Sequence, residues 1–312
     1  MSISSRISAW ILILFAFGAF ADDGGSYTLL SGGSRDLAMA GAAHLHDAGL
    51  EALFLQPASL SSLDRWEVGA FTQLYGDGVP LQHGTLAFAF ASGHRMALDG
   101  RYESDSEMAV GAAFQYLSAT LADDSGWSEW TLAAVAAWSP MRWFSLGGRA
   151  RYSGGGSEDA VDRGHSTAMD FGLRLRLLHP GLEAGLLMQD FYHRFAWDEG
   201  GDARKEPRLV TSLGMAGLRL PYLPGDLRLE ARMTQHRSSA ESFGLGMEWS
   251  LLDGLADLRG GLLAWRQGEE RISPTFGFGL LAGLYRVDYA YSPDVDGGMA
   301  AQHRIAIIRS GS

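Results

Sequence analysis

The sequence predicts an all-β chain, a transmembrane antiparallel β-barrel of about fourteen strands. Segments of roughly ten residues alternate between an oily face and a charged or small one, as a barrel strand between lipid and lumen requires. The links between them alternate between short and long, and an export signal precedes the first segment.

The alternation begins near residue 66. In 168–177, Met169, Phe171, Leu173, Leu175 and Leu177 share one face, while Asp170, Gly172, Arg174 and Arg176 share the other. In 227–234, Leu227, Leu229, Ala231 and Met233 oppose Arg228, Glu230, Arg232 and Thr234, and 144–152, 243–251 and 284–291 read the same way. A soluble sandwich also alternates, but its second face meets bulk water and favours Lys, Thr and Ser over Gly, Ala and paired Arg and Asp. Trp130, Trp138, Phe144, Tyr152, Tyr289 and Tyr291 fall near strand ends on the oily face, the position of the aromatic girdles at the two lipid interfaces. A charge facing lipid at mid-depth costs roughly 2–4 kcal/mol, so Leu173→Arg is expected to harm assembly more than Gly172→Ala.

Short links are expected at Ser139-Pro140-Met141, His179-Pro180, Pro221–Gly225 and Leu252-Asp253-Gly254, and long polar loops near 118–128, 153–165 and 193–207. The last of these, with Asp198, Glu199, Asp202, Arg204, Lys205 and Glu206, reads as a solvated face. Fifteen candidate strands can be drawn, but a single-chain bacterial barrel needs an even number. The ambiguity lies in 85–103, where Leu86, Phe88, Phe90, Met96, Leu98 and Tyr102 keep one parity straight through Ser92-Gly93-His94. One long strand or a tight hairpin fits there, and fourteen spanning strands are adopted.

Composition neither supports nor opposes this class. The 312 residues are 46% hydrophobic and 20% charged, and the mean hydropathy is −0.02. Only alternate residues of a barrel strand face lipid, so average hydropathy stays near that of soluble proteins. The net charge of −11 argues against nucleic acid, whose binding rests on neutralised phosphates. There is no cysteine, hence no disulfide or thiolate site. All 25 Lys and Arg residues except Lys205 are arginine, which suits partly buried ion pairs because the planar guanidinium can serve a carboxylate with two hydrogen bonds.

Residues 1–21 read as a signal peptide. Arg6 precedes an apolar stretch from Ile7 to Phe20, and Ala19-Phe20-Ala21 offers small residues at the −3 and −1 positions, placing cleavage after Ala21. No later segment approaches the roughly eighteen uninterrupted apolar residues of a membrane helix.

Chemical motifs are weak. His44 and His46 with Asp47 imitate a His-x-His metal element without converging partners, and hatch surface is the simpler reading. Gly277-Phe278-Gly279 and Gly283 are better read as strand glycines facing a packed lumen than as a nucleotide loop, since no helix pattern follows. Asp294, Asp296, Gly297 and Gly298 lack the full spacing of a calcium loop and read as an outer loop. Gly-x-Ser-x-Gly, His-Glu-x-x-His and Walker sequences are missing. No catalytic, metal or cofactor residue is assigned, and the chain is read as a non-enzyme. Arg101, Arg149, Arg151, Arg174, Arg176, Arg228, Arg232 and Arg259 are the candidate lumen path. Ion-paired struts are the favoured reading of them, because Asp99, Glu107, Asp170, Glu183, Glu230 and Asp257 share their face.

Two stretches carry a resemblance. Gly33-Ser34-Arg35-Asp36-Leu37-Ala38-Met39-Ala40-Gly41-Ala42 is followed by Ala52-Leu53-Phe54-Leu55-Gln56-Pro57-Ala58-Ser59-Leu60, and the chain closes with Val287–Pro293, Asp296-Gly297-Gly298 and His303-Arg304-Ile305. Together with Ala168–Arg176 and Pro180-Gly181-Leu182, this resembles the PorV/PorQ family over nearly the whole chain after residue 21. Gln56 stands where that family's Asn-Pro-Ala element has asparagine, and the chain ends on Ile308-Arg309-Ser310-Gly311-Ser312 without a terminal aromatic. The resemblance implies a FadL-type barrel, 66–312, in the outer membrane of a Gram-negative bacterium, with 22–65 folded inward as a hatch that turns at Gln56, Pro57 and Ala58. Pro57 restrains Gln56 to extended geometry, so a helix from about Ala48 is expected to stop there. The resemblance further implies a secretion-linked membrane component whose partners are secretion-system proteins or cargo. The alternative is a hatch-gated transporter of small hydrophobic compounds. Both readings take outer-membrane lipid as a partner.

Overall fold

The computed structural model describes residues 33–46, 49–75, 81–96, 102–120, 126–157, 163–177, 181–197, 202–220, 222, 224–235, 242–267, 269–293 and 301–311. The expected signal peptide, Asp47, Arg101 and the Asp294–Gly298 stretch lie outside them. The strands are β1 (Trp66–Tyr75), β2 (Leu81–Met96), β3 (Tyr102–Thr120), β4 (Gly126–Met141), β5 (Phe144–Ser157), β6 (Arg163–Arg176) and β7 (Leu182–Trp197). There follow β8 (Asp202–Ala203), β9 (Arg208–Leu218), β10 (Asp226–Gln235), β11 (Ser242–Leu251), β12 (Ala256–Gln267), β13 (Glu269–Ala282), β14 (Tyr285–Ser292) and β15 (Gln302–Ser310).

β8 is a two-residue addition to β7. The other fourteen form one antiparallel ring in chain order. β1 pairs with β15 from Glu67↔Ser310 to Tyr75↔Gln302, β6 with β7, and β7 with β9. Closure leaves no open sheet edge, the condition for a β-structure to sit in hydrocarbon. The ambiguity near Ser92-Gly93-His94 resolves as one long strand, because β2 pairs with β3 past it to Met96↔Tyr102.

Alternation on β2 shows how the wall is built. Leu86, Phe88 and Phe90 are exposed on the outside, while Ala87, Ala89 and Ala91 between them are buried inside. The same holds for Met169 and Phe171 against Asp170 and Arg174 on β6. Exposed apolar side chains thus belt the barrel, and successive side chains of a strand meet lipid and lumen in turn.

The short links fall at one end, with turns at Arg142-Trp143, Leu252–Gly254 and Gly283-Leu284. At the other end, β3, β5 and β7 run to Thr120, Ser157 and Trp197, so much of each expected long loop is extended hairpin. Gly283 sits in a turn with φ +63°, not in a strand as its sequence suggested. The 193–207 region is only partly solvated. The Lys205 amine is enclosed, its backbone N–H donates to His193 Nδ1 at 3.1 Å, and burial pushes the amine down to about 8.

Residues 33–65 occupy the lumen as an inner segment. It holds one short helix, α1 (Ser34–Ala38), and 3-10 turns at Gly49–Leu53 and Pro57–Ser62. The helix expected from Ala48 is therefore a single 3-10 turn that ends at Leu53, short of Gln56. Gln56 is extended, at φ −122° and ψ 101°, and Pro57 opens the next turn, where its missing N–H costs nothing.

Candidate functional site

The site is the contact between inner segment and wall, and it has two unlike halves. The first is apolar. On β2, β3 and β4 the inward residues form cross-strand rows Ala91–Ala109–Ala137, Ala89–Gly111–Val135 and Ala87–Ala113–Ala133. Small side chains make this part of the wall smooth, and Leu50, Leu53, Phe54 and Leu60 pack against it. Phe54 meets Phe71 of β1 edge-to-face, with ring centres 5.5 Å apart.

The second half is charged. Arg149 of β5 bonds Asp170 of β6 at 2.5 Å, and Arg151 bonds both Asp170 and Asp190 of β7. Arg174 and Arg176 converge on Glu183 at 2.7 and 3.1 Å. Glu248 of β11 holds Arg35, Arg228 and Arg259, and Arg259 also reaches Asp257 and Asp288. Each candidate path arginine named here is thus joined to a carboxylate. Arg232 instead faces the inner segment, where a Cβ on Gly41 would lie 2.6 Å from its Cζ. Glu107, expected to face the lumen, is exposed.

Wall side chains also bind the inner segment's backbone. Glu230 accepts the N–H groups of His44 and Leu45 at 2.6 and 3.2 Å, and Glu67 accepts that of Leu50 at 2.7 Å. Thr275 donates to the Ala38 carbonyl at 2.9 Å. In return Gln56 donates to the carbonyls of Leu173 and Leu186 on β6 and β7 at 3.2 and 3.1 Å. Pro57 and Ala58 lie over Gly147 of β5, where a Cβ would overlap them. Cβ atoms added at Gly69, Gly111, Gly246, Gly261 or Gly277 would come 2.5 to 2.8 Å from Leu50, Leu53, Met39 or Ala38. A ring of glycines therefore lets the inner segment touch the wall backbone.

Within the segment, Glu51 accepts the N–H groups of Arg35 and Asp36 at 3.1 and 3.2 Å. Burial raises its carboxyl to about 7, with Asp288 adding to the rise. His44 and His46 are buried at the wall rather than on a free surface. His46 faces Glu183 at 3.6 Å, and burial holds His44 well below its ordinary value, hence neutral. No three His, Asp or Glu residues converge as metal ligands among the described residues. A cavity of about 190 Å³ opens at the short-link end between segment and wall, lined by Arg35, Glu51, Glu67, Glu248, Arg286 and Asp288 among others. It is polar, whereas the contact on β2–β4 is packed shut.

Magnitudes separate the two halves. Full burial of one leucine contributes roughly 1.5–3 kcal/mol, and Leu50, Leu53 and Leu60 are each at 0% exposure. Buried ion pairs gain little net energy because desolvation offsets their attraction, yet breaking one is costly. The apolar half supplies adhesion and the charged half fixes position.

Sequence reading identified the arginines and Gln56-Pro57-Ala58 but missed Arg35, Glu67, Glu248 and Asp288, and also the alanine rows. On β2 the row was legible as the small face opposite Leu86, Phe88 and Phe90.

No protein-family model matches the chain, and no curated protein matches it. Solved structures do. The toluene transporter TbuX of Ralstonia pickettii aligns with TM-score 0.61 at 12% identity, over 91% of this chain and 99% of that one. The toluene transporter TodX of Pseudomonas putida aligns with TM-score 0.57 at 11% identity, over 94% and 98%. The fold is that of a FadL-type outer-membrane barrel. A Pseudomonas aeruginosa FadL homologue gives TM-score 0.56 at 10% identity, over 89% and 98%. With its apolar belt, a closed barrel of this kind is built for an outer membrane.

Proposed function

We propose that the chain is a hatch-gated conduit for small hydrophobic molecules across the outer membrane, with residues 33–65 as the hatch. The observation that carries this reading is the unequal attachment of the hatch, apolar against β2–β4 and polar elsewhere, where Arg35 pairs with Glu248, hydrogen bonds join the hatch to Arg149, Glu230 and Thr275, and Gln56 reaches the carbonyls of β6 and β7. An apolar solute can replace the contacts of Leu50, Leu53, Phe54 and Leu60 with contacts of its own. It cannot replace the Arg35–Glu248 pair or the hydrogen bonds. The hatch then parts from the alanine rows while staying anchored opposite, and opens an apolar slot. The toluene transporters TbuX and TodX share the fold, which supports this choice over secretion. The Gly33–Ala42 stretch that resembles the PorV/PorQ family is occupied in seating the hatch, a role that either function can use.

The chain has no cysteine, so an introduced pair can be joined cleanly. Leu53→Cys with Gly111→Cys, joined directly or by a short thiol cross-linker, ties the hatch to β3 where Leu53 Cδ2 lies 2.5 Å from a residue-111 Cβ. Cellular uptake of a labelled monoaromatic hydrocarbon should fall to the level of cells lacking the protein and return on release of the tether. A second pair, His46→Cys with Gly214→Cys, ties the anchored side and should leave uptake intact. Full uptake with the first tether closed would refute the conduit. Loss of surface-exported proteins on gene deletion, with uptake unchanged, would favour the secretion role.

A further inference from the structure

Two wall carboxylates accept N–H groups of the hatch, and they differ in what surrounds them. Glu230 of β10 takes those of His44 and Leu45 and is only 2% exposed. Glu67 of β1 takes that of Leu50 at 2.7 Å through Oε2, and its Oε1 accepts the Ser310 hydroxyl of β15 at 3.0 Å. Unlike Glu230, Glu67 lines the cavity of about 190 Å³ at the short-link end, together with Gly49 and Leu50. That is room for several water molecules among polar partners.

The surroundings decide what release costs. Pulling an N–H away from Glu230 leaves a buried carboxylate short of a partner, which is strongly unfavourable. Pulling Leu50 away from Glu67 leaves both groups facing the cavity, where water takes up the hydrogen bonds while Ser310 still holds the other carboxylate oxygen. The first contact is fixed and the second is releasable.

The releasable contact sits on the apolar part of the hatch. Leu50 lies in the 3-10 turn Gly49–Leu53, and Leu50, Leu53 and the following Phe54 pack in the apolar half. At the far end of the turn Arg149 Nη1 donates to the Leu53 and Phe54 carbonyls. The wall thus sets a carboxylate at the N–H end and a guanidinium at the carbonyl end, which complements the peptide dipoles of the turn. Arg149 is buried and shared with Asp170, so it is the fixed end. Glu51 of the turn lines the same cavity, so its bonds to the Arg35 and Asp36 N–H groups border it too. The fit at Glu67 is close: Gly49 stands at φ +50°, and a Cβ there would lie 2.8 Å from Glu67 Oε2.

We propose that Glu67 is the latch of the hatch. Release of its bond to Leu50 frees the turn at β1, and the turn then pivots about Arg149 off the alanine rows. What the opening serves rests on the conduit reading; the latch itself is a property of one hydrogen bond.

Amide exchange of the intact protein in neutral detergent, read by mass spectrometry, tests the latch without any solute. Glu67→Leu should speed exchange in residues 49–55 roughly tenfold or more, as loss of one hydrogen bond to a charged group predicts, and should leave residues 39–46 unchanged. Glu67→Gln keeps an oxygen that can accept the Leu50 N–H and should fall between E67L and unmodified protein. Gly49→Ala should also speed 49–55, an arm that needs no change at Glu67. Unchanged exchange in E67L would overturn the latch, and so would equal acceleration in 39–46, which would make Glu67 a support of the whole hatch. Cellular uptake of a labelled monoaromatic hydrocarbon reads the gating: where unmodified protein transports it, E67L should do so faster, and an equal or slower rate with 49–55 accelerated would overturn the proposal. No uptake by unmodified protein would instead sink the conduit, and the exchange rates would still decide the latch.

Discussion

Arg149 and Asp170 join two strands and the hatch in one contact. Arg149 Nε donates to Asp170 Oδ2 at 2.5 Å across the β5–β6 pair, and its Nη1 donates to the carbonyls of Leu53 at 3.0 Å and of Phe54. A charge needed by the wall thus also closes the 3-10 turn of the hatch.

Asp170→Ala leaves Arg149 buried without its carboxylate, and such a loss costs about 3–5 kcal/mol. The backbone ladder is untouched, so the barrel should still run as a folded species in unheated gels. Limited proteolysis within 33–65 should accelerate. A double variant, Arg149→Leu with Asp170→Leu, should be cut more slowly than D170A. Equal cutting of both would mean that the pair does not position the hatch.

Leu173→Arg and Gly172→Ala should fail in different ways. Leu173→Arg places a charge toward lipid, at roughly 2–4 kcal/mol if near mid-depth, and should lower the yield of membrane-inserted protein. Gly172→Ala should insert normally, but its Cβ would overlap Gln56 Oε1 and push the amide off the Leu173 and Leu186 carbonyls. The sequence alone ranked the alanine only as the less damaging of the two for assembly. Basal conductance in planar bilayers should therefore rise for G172A, and an unchanged conductance would restore the simpler view.

The seating of the hatch should depend on pH through Glu51. Its carboxyl is raised from 4.5 to about 7 in the seated state, so the protonated form is the one the site favours. The associated stabilisation is complete below the ordinary value of 4.5 and is lost as pH rises through about 7. Amide exchange in residues 49–63, corrected for intrinsic rates, should speed up relative to the strands between about pH 4.5 and 7 and level off above. Glu51→Gln should flatten that slope; the same slope in both proteins would clear Glu51 of the effect.

Deleting 26–62 should leave a barrel that inserts, because strand pairing satisfies its backbone. Conductance should rise sharply. A folded deletion variant that conducts no more than the intact chain would mean that the segment is not a plug.

What the sequence made legible follows from period. A two-residue period repeats along every strand, so lipid and lumen faces could be assigned at Met169, Asp170 and Phe171 without knowing any neighbour. The ring closure rests on pairings such as Glu67↔Ser310, which no local pattern encodes. Arg35 looked like part of a motif, yet its partner Glu248 lies far along the chain. Gly111 and Gly277 read as strand glycines, but the Leu53 and Ala38 side chains that need the space belong to another segment.

The ring closed by β1 and β15 also sets an order of events. The hatch runs directly into β1, and β1 finds its second neighbour only when Gln302–Ser310 has been made. Contacts of such separation form late in folding, since the entropy of closing a long loop must be met before they stabilise anything. Residues 33–65 must already lie inside when that last seam zips, for a finished wall offers them no way in. Assembly is thus a packaging problem as much as a pairing one: Leu50, Leu53 and Leu60, all buried in the finished barrel, have to be enclosed by the same wall that the seam completes.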